Sequence, residues 1–141
     1  MSRLVLGPEI LAAALCSASG ASNALLNEVA YQRLSVLVTA PLMAEYRLML
    51  LSPAQRLMHG RAEEAVERFI TALAAAAERV ATDFQWRPQL SDTLDELTLQ
   101  AGVMGRADAL VTLRPTLFAA ARQLELKVVT PAELLGRSRC C

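Results

Sequence analysis

Short apolar segments alternate with longer helical patterns along this chain, and that alternation constrains the fold more than any other feature. The apolar segments lie at residues 3–6, 34–39, 109–112 and 127–130, and each has the length and composition of a buried strand. Strands that are apolar throughout and separated by helices are typical of a parallel sheet covered on both faces. The sequence therefore predicts an α/β fold, a three-layer α/β/α sandwich with a central parallel sheet.

Helices are predicted between these strands because Ala and Leu, two strong helix formers, account for 25 residues each. The longest helix is predicted at residues 61–80, where apolar residues recur at helical spacing as far as Val80. Thr93 and Glu96 match a capping box, which places the start of another helix at Thr93. The remaining helices are predicted at residues 9–16, 21–30, 41–51, 53–59, 115–123 and 131–135.

The length of the chain limits it to one domain. Its 141 residues are enough to bury roughly 68% of the unfolded surface around a single core. Apolar residues make up 54% of the sequence and charged residues 20%, a composition that excludes intrinsic disorder. We expect one domain over residues 1–135, followed by a short C-terminal tail at residues 136–141.

Charge and cysteine content exclude several classes of protein. The 14 Lys and Arg residues balance the 14 Asp and Glu residues, so the sequence lacks the excess of basic residues that non-specific nucleic-acid binding usually requires. The three cysteines, Cys16, Cys140 and Cys141, are too few for a disulfide framework or a four-ligand zinc site. The simplest interpretation is a protein of the reducing cytoplasm.

The uncharged stretch at residues 10–27 raises the question of a signal peptide or a membrane span. Pro8 and Glu9 interrupt the apolar residues before this stretch, and Gly20 and Asn23 break the stretch itself. No run approaches the ~18 consecutive apolar residues that a membrane-spanning helix needs. We therefore expect neither secretion nor membrane association.

Two isolated residues receive structural interpretations. His59 is the only histidine, and its position at a predicted helix end favours a contact with a helix C-terminus or solvent exposure over catalysis. Trp86 has a ring that could stack on a base, but a core or interface anchor is favoured in a chain with 4% aromatic residues. Neither residue is assigned to a catalytic site.

The candidate site is expected at the carboxyl ends of the strands, because open parallel sheets bind ligands there. Mg²⁺ prefers oxygen ligands, and acids from separate segments can hold one or two such ions for phosphodiester hydrolysis. Four acids of the later segments stand beside the predicted strands in the sequence. The four acids are Glu45, Asp92, Asp95 and Glu96.

Seven short blocks of this sequence, in their order and spacing, resemble the PIN-domain proteins assigned as toxin components of bacterial toxin–antitoxin systems. The resemblance implies the α/β/α sandwich already expected from the alternation of strands and helices. It also implies RNA cleavage that depends on Mg²⁺ or Mn²⁺ and that is carried by acids at one end of the sheet. The blocks cover nearly the whole chain and lie at residues 3–6 (RLVL), 20–22 (GAS), 41–46 (PLMAEY), 86–90 (WRPQL), 95–96 (DE), 105–112 (GRADALVT) and 130–133 (TPAE).

Compared position by position, the resemblance implies an incomplete acidic site. Gly7 stands where the family has its first metal-binding Asp, at the end of the first strand. Glu45 matches the helical Glu of the family, and the later acids named above are retained. The resemblance therefore implies that these four acids lie near one another at the carboxyl end of the sheet, with Gly7 and Arg114 lining the same concavity. Arg114 follows the third predicted strand, where the family has Asn or Asp. We therefore expect Arg114 to pair with one of the remaining acids and to replace the charge of the metal ion.

Glu9 is the acid nearest to the missing Asp, two residues further along the chain. A metal site tolerates ligand displacements of only about 0.5 Å, and Glu9 is expected on a different face of the helix that Pro8 begins. We interpret Glu9 as an exposed acid that stabilises the N-terminus of this helix, and not as a substitute for the Asp missing at Gly7.

Three functional hypotheses remain open. The first, favoured by the altered acidic site, is a PIN-like protein without nuclease activity that acts through a partner such as an antitoxin-like protein, and it requires no cofactor. The second is an active endoribonuclease toxin that uses Mg²⁺ or Mn²⁺ and binds RNA. The third is a purely structural role as a homodimer.

Self-association is expected under each hypothesis. The apolar share of the chain exceeds the about 45–50% that is usual for soluble domains, which favours a dimer or larger assembly. The Ala- and Leu-rich helical segments at residues 10–30 or 62–77 are the expected contact faces.

Overall fold

One sheet of five strands lies at the centre of the computed structural model, which describes residues 2–81, 92–114 and 126–139. The strands are β1 (Ser2–Leu6), β2 (Leu34–Val38), β3 (Glu78–Arg79), β4 (Ala109–Val111) and β5 (Val128–Val129). Their spatial order is β3-β2-β1-β4-β5, and every neighbouring pair is parallel. The predicted parallel sheet is confirmed, and β1 is its central strand.

Seven helices accompany the sheet within the described residues. Capping side chains fix where two of them begin: Thr39 accepts a hydrogen bond from the amide of Leu42, and Ser52 accepts one from the amide of Gln55. The arrangement is the α/β/α fold that the sequence predicts. The helices are α1 (Pro8–Cys16), α2 (Ala21–Ala30), α3 (Ala40–Leu50), α4 (Pro53–His59), α5 (Glu63–Ala76), α6 (Thr93–Met104) and α7 (Pro131–Arg139). The helix predicted at residues 115–123, Trp86 and the terminal cysteines lie outside the described residues.

The register of the sheet brings the ends of β1 and β4 to the same level. Leu6 pairs with Val111 across the two strands, and the amide of Gly7 donates a hydrogen bond to the carbonyl of Val111 at 2.7 Å. The chain therefore leaves β1 at Gly7 directly beside the point where it leaves β4 at Thr112. This junction is the carboxyl end of the sheet, where the sequence predicts the site.

The core includes β1 and helix α6, which packs against it, together with residues of strands β2, β4 and β5 and of helices α1, α2, α3 and α5. Leu4, Val5 and Leu6 are fully buried, and burial of each such side chain stabilises the fold by roughly 1.5–3 kcal/mol. Helix α6 approaches β1 closely at Gly102, where an added Cβ atom would lie 2.8 Å from Cγ1 of Val5 and 2.9 Å from Cδ2 of Leu126. The absence of a side chain at Gly102 thus lets α6 pack directly on the central strand, with its first turn at the carboxyl end of the sheet.

The prediction of one long helix at residues 61–80 was wrong at its C-terminal end. Helix α5 ends at Ala76, Ala77 is extended, and residues 78 and 79 pair with Leu37 and Val38 as the edge strand β3. The amide of Val80 also donates to the carbonyl of Val38 at 2.7 Å. Residues 78 and 79 gain backbone hydrogen bonds by pairing with the edge of the sheet, and these outweigh their local preference for a helix.

Two other helix ends differ from the expected positions. The N-cap of α6 is Asp92 and not Thr93, because a carboxylate oxygen of Asp92 accepts the amide hydrogen of Asp95 at 3.0 Å. The last helix, expected to end at Leu135, continues to Arg139. The first difference matters for the site because it fixes the backbone of Asp95.

His59 is buried, so the expectation of solvent exposure was wrong. The other expectation, a contact with a helix C-terminus, is confirmed. Its Nδ1 atom accepts the amide hydrogen of Arg61 at 2.9 Å, and its Nε2 atom donates to the carbonyl of Leu50 at 3.0 Å, at the end of α3. Gly60, which lies between His59 and Arg61, has a φ of +62°, which glycine adopts without strain. The imidazole therefore holds the α3–α4 corner together as a structural group.

No single helix within the described ranges is long and apolar enough to cross a membrane. Helices α1 and α2 reach such a length and apolar composition only when taken together, and the chain bends by 102° between them.

Candidate functional site

The first feature of the carboxyl end of the sheet is the empty side-chain position at Gly7. Gly7 is extended, with a φ of −61° and a ψ of 150°, and it is the N-cap of α1, in which Pro8 is the first residue. A Cβ atom on Gly7 would lie 2.7 Å from Oε1 and 3.0 Å from Oε2 of Glu9. The carboxylate of Glu9 therefore folds back over Gly7 and fills the space where a side chain at position 7 would begin.

Donors at the end of β4 hold Glu9 in this position. Its Oε1 atom accepts hydrogen bonds from the hydroxyl of Thr112 and from the amide of Leu113, the latter at 2.9 Å. The side chain of Glu9 is only 18% exposed. The interpretation of Glu9 as an exposed helix-terminal acid was therefore wrong, because two donors in the residues that follow β4 outcompete solvent for its carboxylate.

Asp95 reaches the same place from the first turn of α6. Asp92 caps this helix and accepts the amide hydrogen of Asp95, which sets the direction in which the Asp95 side chain leaves the helix. The side chain of Asp95 is 10% exposed. Glu9 and Asp95, which are 86 residues apart in the sequence, thus present two largely buried carboxylates at one end of the sheet.

Arg114 lies against both carboxylates. Its Nη2 atom is 3.5 Å from Oε2 of Glu9 and 3.6 Å from Oδ1 of Asp95, and its side chain is half exposed. Both of these oxygen atoms are buried, and neither has a hydrogen-bond partner among the described residues. The expected pairing of Arg114 with one of the acids is confirmed, and it includes Glu9 as well as Asp95.

The charges at the site act on each other through a partly dehydrated environment. Burial raises the pKa of Asp95, and the negative charges of Asp92 and Glu9 raise it further, whereas Arg114 opposes these effects. Tyr46 is fully buried beneath the site, and its hydroxyl donates to the carbonyl of Leu6. Burial and the charge of Glu9 raise the pKa of Tyr46, so this phenol stays neutral and acts as a donor.

The other acids predicted for the site are less closely involved. Asp92 is exposed and serves as a helix cap, and Glu96 is partly buried on α6. Glu45 is partly buried on α3 and has no hydrogen bond or ion pair within the described part of the chain. No group of three or more His, Cys, Asp or Glu side chains in residues 2–81, 92–114 and 126–139 is placed to hold a metal ion.

A divalent metal ion does not fit these residues while Arg114 keeps this position. Mg²⁺ requires oxygen ligands at about 2.0–2.1 Å in near-octahedral geometry. The two carboxylate oxygens without hydrogen bonds, from Glu9 and Asp95, both face the guanidinium of Arg114. The positive charge at this point is therefore supplied by the chain itself.

Comparison with known families agrees with this fold. A family model described as the PIN domain matches residues 3–113, more than half of the chain, and the match ends one residue before Arg114. Comparisons with curated proteins and with solved structures gave no match. The parallel sheet, with acids at its carboxyl end, lies largely inside the matched range. The chain belongs to the PIN domain family.

Proposed function

We propose that this PIN domain does not cleave RNA and that it acts by binding a protein partner. The position of Arg114 carries the proposal, because its guanidinium lies within 3.6 Å of both Glu9 and Asp95. PIN domains generally depend on divalent metal ions. At about 4 Å and an effective dielectric near 20, a divalent ion and this arginine would repel by roughly 8 kcal/mol. Metal binding beside Arg114 is therefore strongly disfavoured unless the side chain moves.

The partner is inferred from the resemblance to toxin–antitoxin proteins and from the composition of the chain. An antitoxin-like protein and a second copy of this chain are the two proposed partners, and both would be met in the cytoplasm. Under this proposal, the protein retains the binding surfaces of a PIN toxin and has lost the metal-dependent chemistry.

The nuclease part of the proposal is tested by RNA cleavage in Mg²⁺ or Mn²⁺. We expect no cleavage by the wild-type protein above the level of an Asp95→Asn variant purified in the same way, which controls for contaminating ribonucleases. Calorimetric titration with Mn²⁺ is expected to give no binding heat for either protein. Cleavage by the wild type that disappears in Asp95→Asn would overturn the proposal.

An active Mg²⁺- or Mn²⁺-dependent endoribonuclease is the alternative function. It is favoured by one observation, the two buried carboxylate oxygens of Glu9 and Asp95 that have no hydrogen bond. Such oxygens are available as ligands if the half-exposed Arg114 side chain turns towards solvent. The cleavage assay with Asp95→Asn separates this alternative from the first proposal.

The homodimer is proposed to form through the expected helical faces. Helices α2 and α5 line an apolar groove of about 270 Å³ that includes Leu26, Phe69 and Ala72. Ala72 and Ala74 are both exposed on α5, but only Ala72 lines this groove. We expect Ala72→Glu to convert the dimer into a monomer in sedimentation velocity and Ala74→Glu to leave it unchanged. A wild-type monomer at high concentration would contradict the dimer.

A further inference from the structure

Helix α4 presents two large apolar side chains to solvent. Leu57 and Met58 are 87% and 72% exposed, whereas His59, the last residue of the same helix, is buried. No large apolar side chain in the described ranges is more exposed than Leu57. Single exposed apolar side chains are ordinary on protein surfaces, whereas contiguous ones with a polar rim mark interaction sites.

The position of α4 does not depend on these two side chains. Ser52 begins the helix by accepting the amide hydrogen of Gln55, and the buried His59 ties its end to the carbonyl of Leu50. The helix is therefore fixed at both ends, and its apolar pair is displayed on a preformed surface. A partner that binds there has little of this chain to order, which lowers the entropic cost of binding.

Two arginines form the rim of this apolar pair. An open hollow of about 480 Å³ beside α4 has a lining that includes Arg56, Leu57 and Arg61. Both arginines are exposed, and neither forms an ion pair with an acid of the described residues. The sequence contains no acid between Glu45 and Glu63. The hollow therefore combines an apolar wall with positive charge that no nearby segment of the sequence balances.

The charge of this surface selects among possible occupants. Two copies of the chain that met through it would oppose the arginines of one copy to those of the other, which is unfavourable. Stable binding to an anionic membrane requires a large buried apolar face or a cluster of about four or more basic residues, and this surface has only two arginines. A protein segment that carries carboxylates beside apolar side chains matches both the charge and the apolar wall.

We propose that the α4 surface, formed by Arg56, Leu57, Met58 and Arg61, binds an acidic segment of a protein partner. Apolar side chains of the segment contact Leu57 and Met58, and its carboxylates pair with the guanidinium groups, whose forked donors match a carboxylate. This inference rests on the proposed function, because it names the place and the chemistry of partner binding. The groove between α2 and α5 is a separate surface, which is assigned above to the homodimer.

The test selects peptides from a random library displayed on phage, with the wild-type protein as the target. We expect the selected peptides to be enriched in Asp and Glu together with large apolar residues. The affinity of the most enriched peptide is then measured by fluorescence anisotropy with the wild type and with variants of the α4 surface. The selection therefore reports the chemistry of the partner, and the variants report where it binds.

Substitutions on the α4 surface are expected to weaken binding of the selected peptide. We expect Leu57→Ser to weaken it at least about tenfold, because apolar anchors at the centre of an interface contribute most of its affinity. Arg56→Gln should weaken it less and reduce its dependence on salt. The matched controls, Tyr31→Ser and Arg33→Gln, change side chains that are 72% and 66% exposed and that lie outside the α4 surface, and they should bind as the wild type does.

The other outcomes overturn the inference. Selected peptides rich in Lys or Arg contradict the proposed chemistry, and equal binding by the wild type and Leu57→Ser contradicts the proposed place. Binding to vesicles of phosphatidylserine that Leu57→Ser abolishes would assign the surface to a membrane. A dimer that Leu57→Ser, but not Ala72→Glu, converts into a monomer would assign it to a second copy. None of these results restores RNA cleavage, so failure of the proposed function is seen separately, as cleavage that Asp95→Asn abolishes.

Discussion

An arginine faces acidic side chains at each end of the sheet, Arg3 on β1 and Arg114 after β4, but the two arginines are held in different ways. At the amino end, Nε and Nη2 of Arg3 donate to the two carboxylate oxygens of Glu78 at 3.0 and 2.9 Å. The amide of Arg3 also donates to Asp108 at 2.7 Å. The Arg3–Glu78 pair is exposed, with 36% and 48% of the two side chains accessible to solvent. It is a complete bidentate ion pair on the surface.

The cluster at the carboxyl end has the opposite properties. Its acids are buried, its cation is half exposed, and the oxygens that face Arg114 have no hydrogen bond. The neutral donors Thr112 and Leu113 hold Glu9 more closely than Arg114 does. The difference indicates that the acids at the carboxyl end are positioned by the fold and that the arginine only neutralises them. The amino-end pair is instead organised around its arginine.

The largest expected difference between the two ends is in the stability lost when each arginine is removed. Arg114→Gln leaves two buried carboxylates without a cation, and we expect the free energy of unfolding to fall by about 2 kcal/mol. Arg3→Gln breaks an exposed pair, for which the expected loss is much smaller. Urea denaturation at neutral pH measures both losses. Equal losses would show that the burial of Glu9 and Asp95 has no energetic consequence.

A second prediction tests whether the carboxylate of Glu9 fills the space beside Gly7. Gly7→Ala is expected to cost about 1–3 kcal/mol, because the new methyl group forces the carboxylate away from its two donors. The cost should be much smaller in a Glu9→Ala background, which a double-mutant cycle measures. Additive effects of the two substitutions would contradict the observed contact.

Gly20→Ala is the matched control for this cycle. Gly20 is also an extended N-cap residue, and the nearest atom to an added Cβ, Oγ of Ser17, lies 3.3 Å away. We therefore expect Gly20→Ala to change stability by less than about 0.5 kcal/mol. If Gly20→Ala lowers the stability as much as Gly7→Ala does, the loss at Gly7 is due to its N-cap position and not to the carboxylate of Glu9.

A third prediction concerns the buried hydroxyl beneath the carboxyl end. Tyr46→Phe removes the hydrogen bond to Leu6 and leaves that buried carbonyl without this donor, so we expect a loss of about 1–2 kcal/mol. Tyr31→Phe is the control, because Tyr31 is 72% exposed, and it should change stability little. Thermal unfolding compares the two variants. If Tyr46→Phe does not change the stability, another donor replaces the phenol at the carbonyl of Leu6.

The strands β1, β2, β4 and β5 were predictable because they are short, mostly apolar segments between helical patterns. The exception is β3, whose residues Glu78 and Arg79 are polar and continue the helical pattern of α5. Its two residues become a strand only because the edge of β2 offers hydrogen-bond partners, and a local pattern carries no information about such a partner. The position of the site at the carboxyl end followed from the parallel topology alone.

The composition of the site was only partly predictable. Arg114 and Asp95 were predicted from their positions relative to the strands and from the resemblance to PIN-domain proteins, whereas Glu9 was interpreted as an exposed acid. Its reach depends on two facts that spacing does not reveal, the empty space over Gly7 and the donors at the end of β4. The available signal was Gly7 followed two residues later by an acid, opposite the polar Thr112.

The smallest predicted effect concerns the pH dependence of stability. We expect the acids Asp95 and Glu78, at opposite ends of the sheet, to contribute to it with opposite signs. Burial raises the pKa of Asp95 above its ordinary value of 3.8, whereas the hydrogen bond from Arg3 lowers the pKa of Glu78 below its ordinary value of 4.5. The contribution of Asp95 to stability is therefore fully present below pH 3.8 and is lost as the pH rises through its folded pKa. The contribution of Glu78 is present above pH 4.5 and is lost as the pH falls through its folded pKa.

The two contributions are isolated by comparing the wild type with Asp95→Asn and with Glu78→Gln in urea denaturation at a series of pH values. As the pH falls from neutral towards 3.8, the stability of the wild type should rise relative to Asp95→Asn. Over the same range its stability should fall relative to Glu78→Gln. The signs differ because protonation relieves a buried, poorly compensated charge at the carboxyl end and breaks a complete ion pair at the amino end. Parallel slopes would show that Asp95 is as well compensated by Arg114 as Glu78 is by Arg3, and the site would then have no need of any other cation.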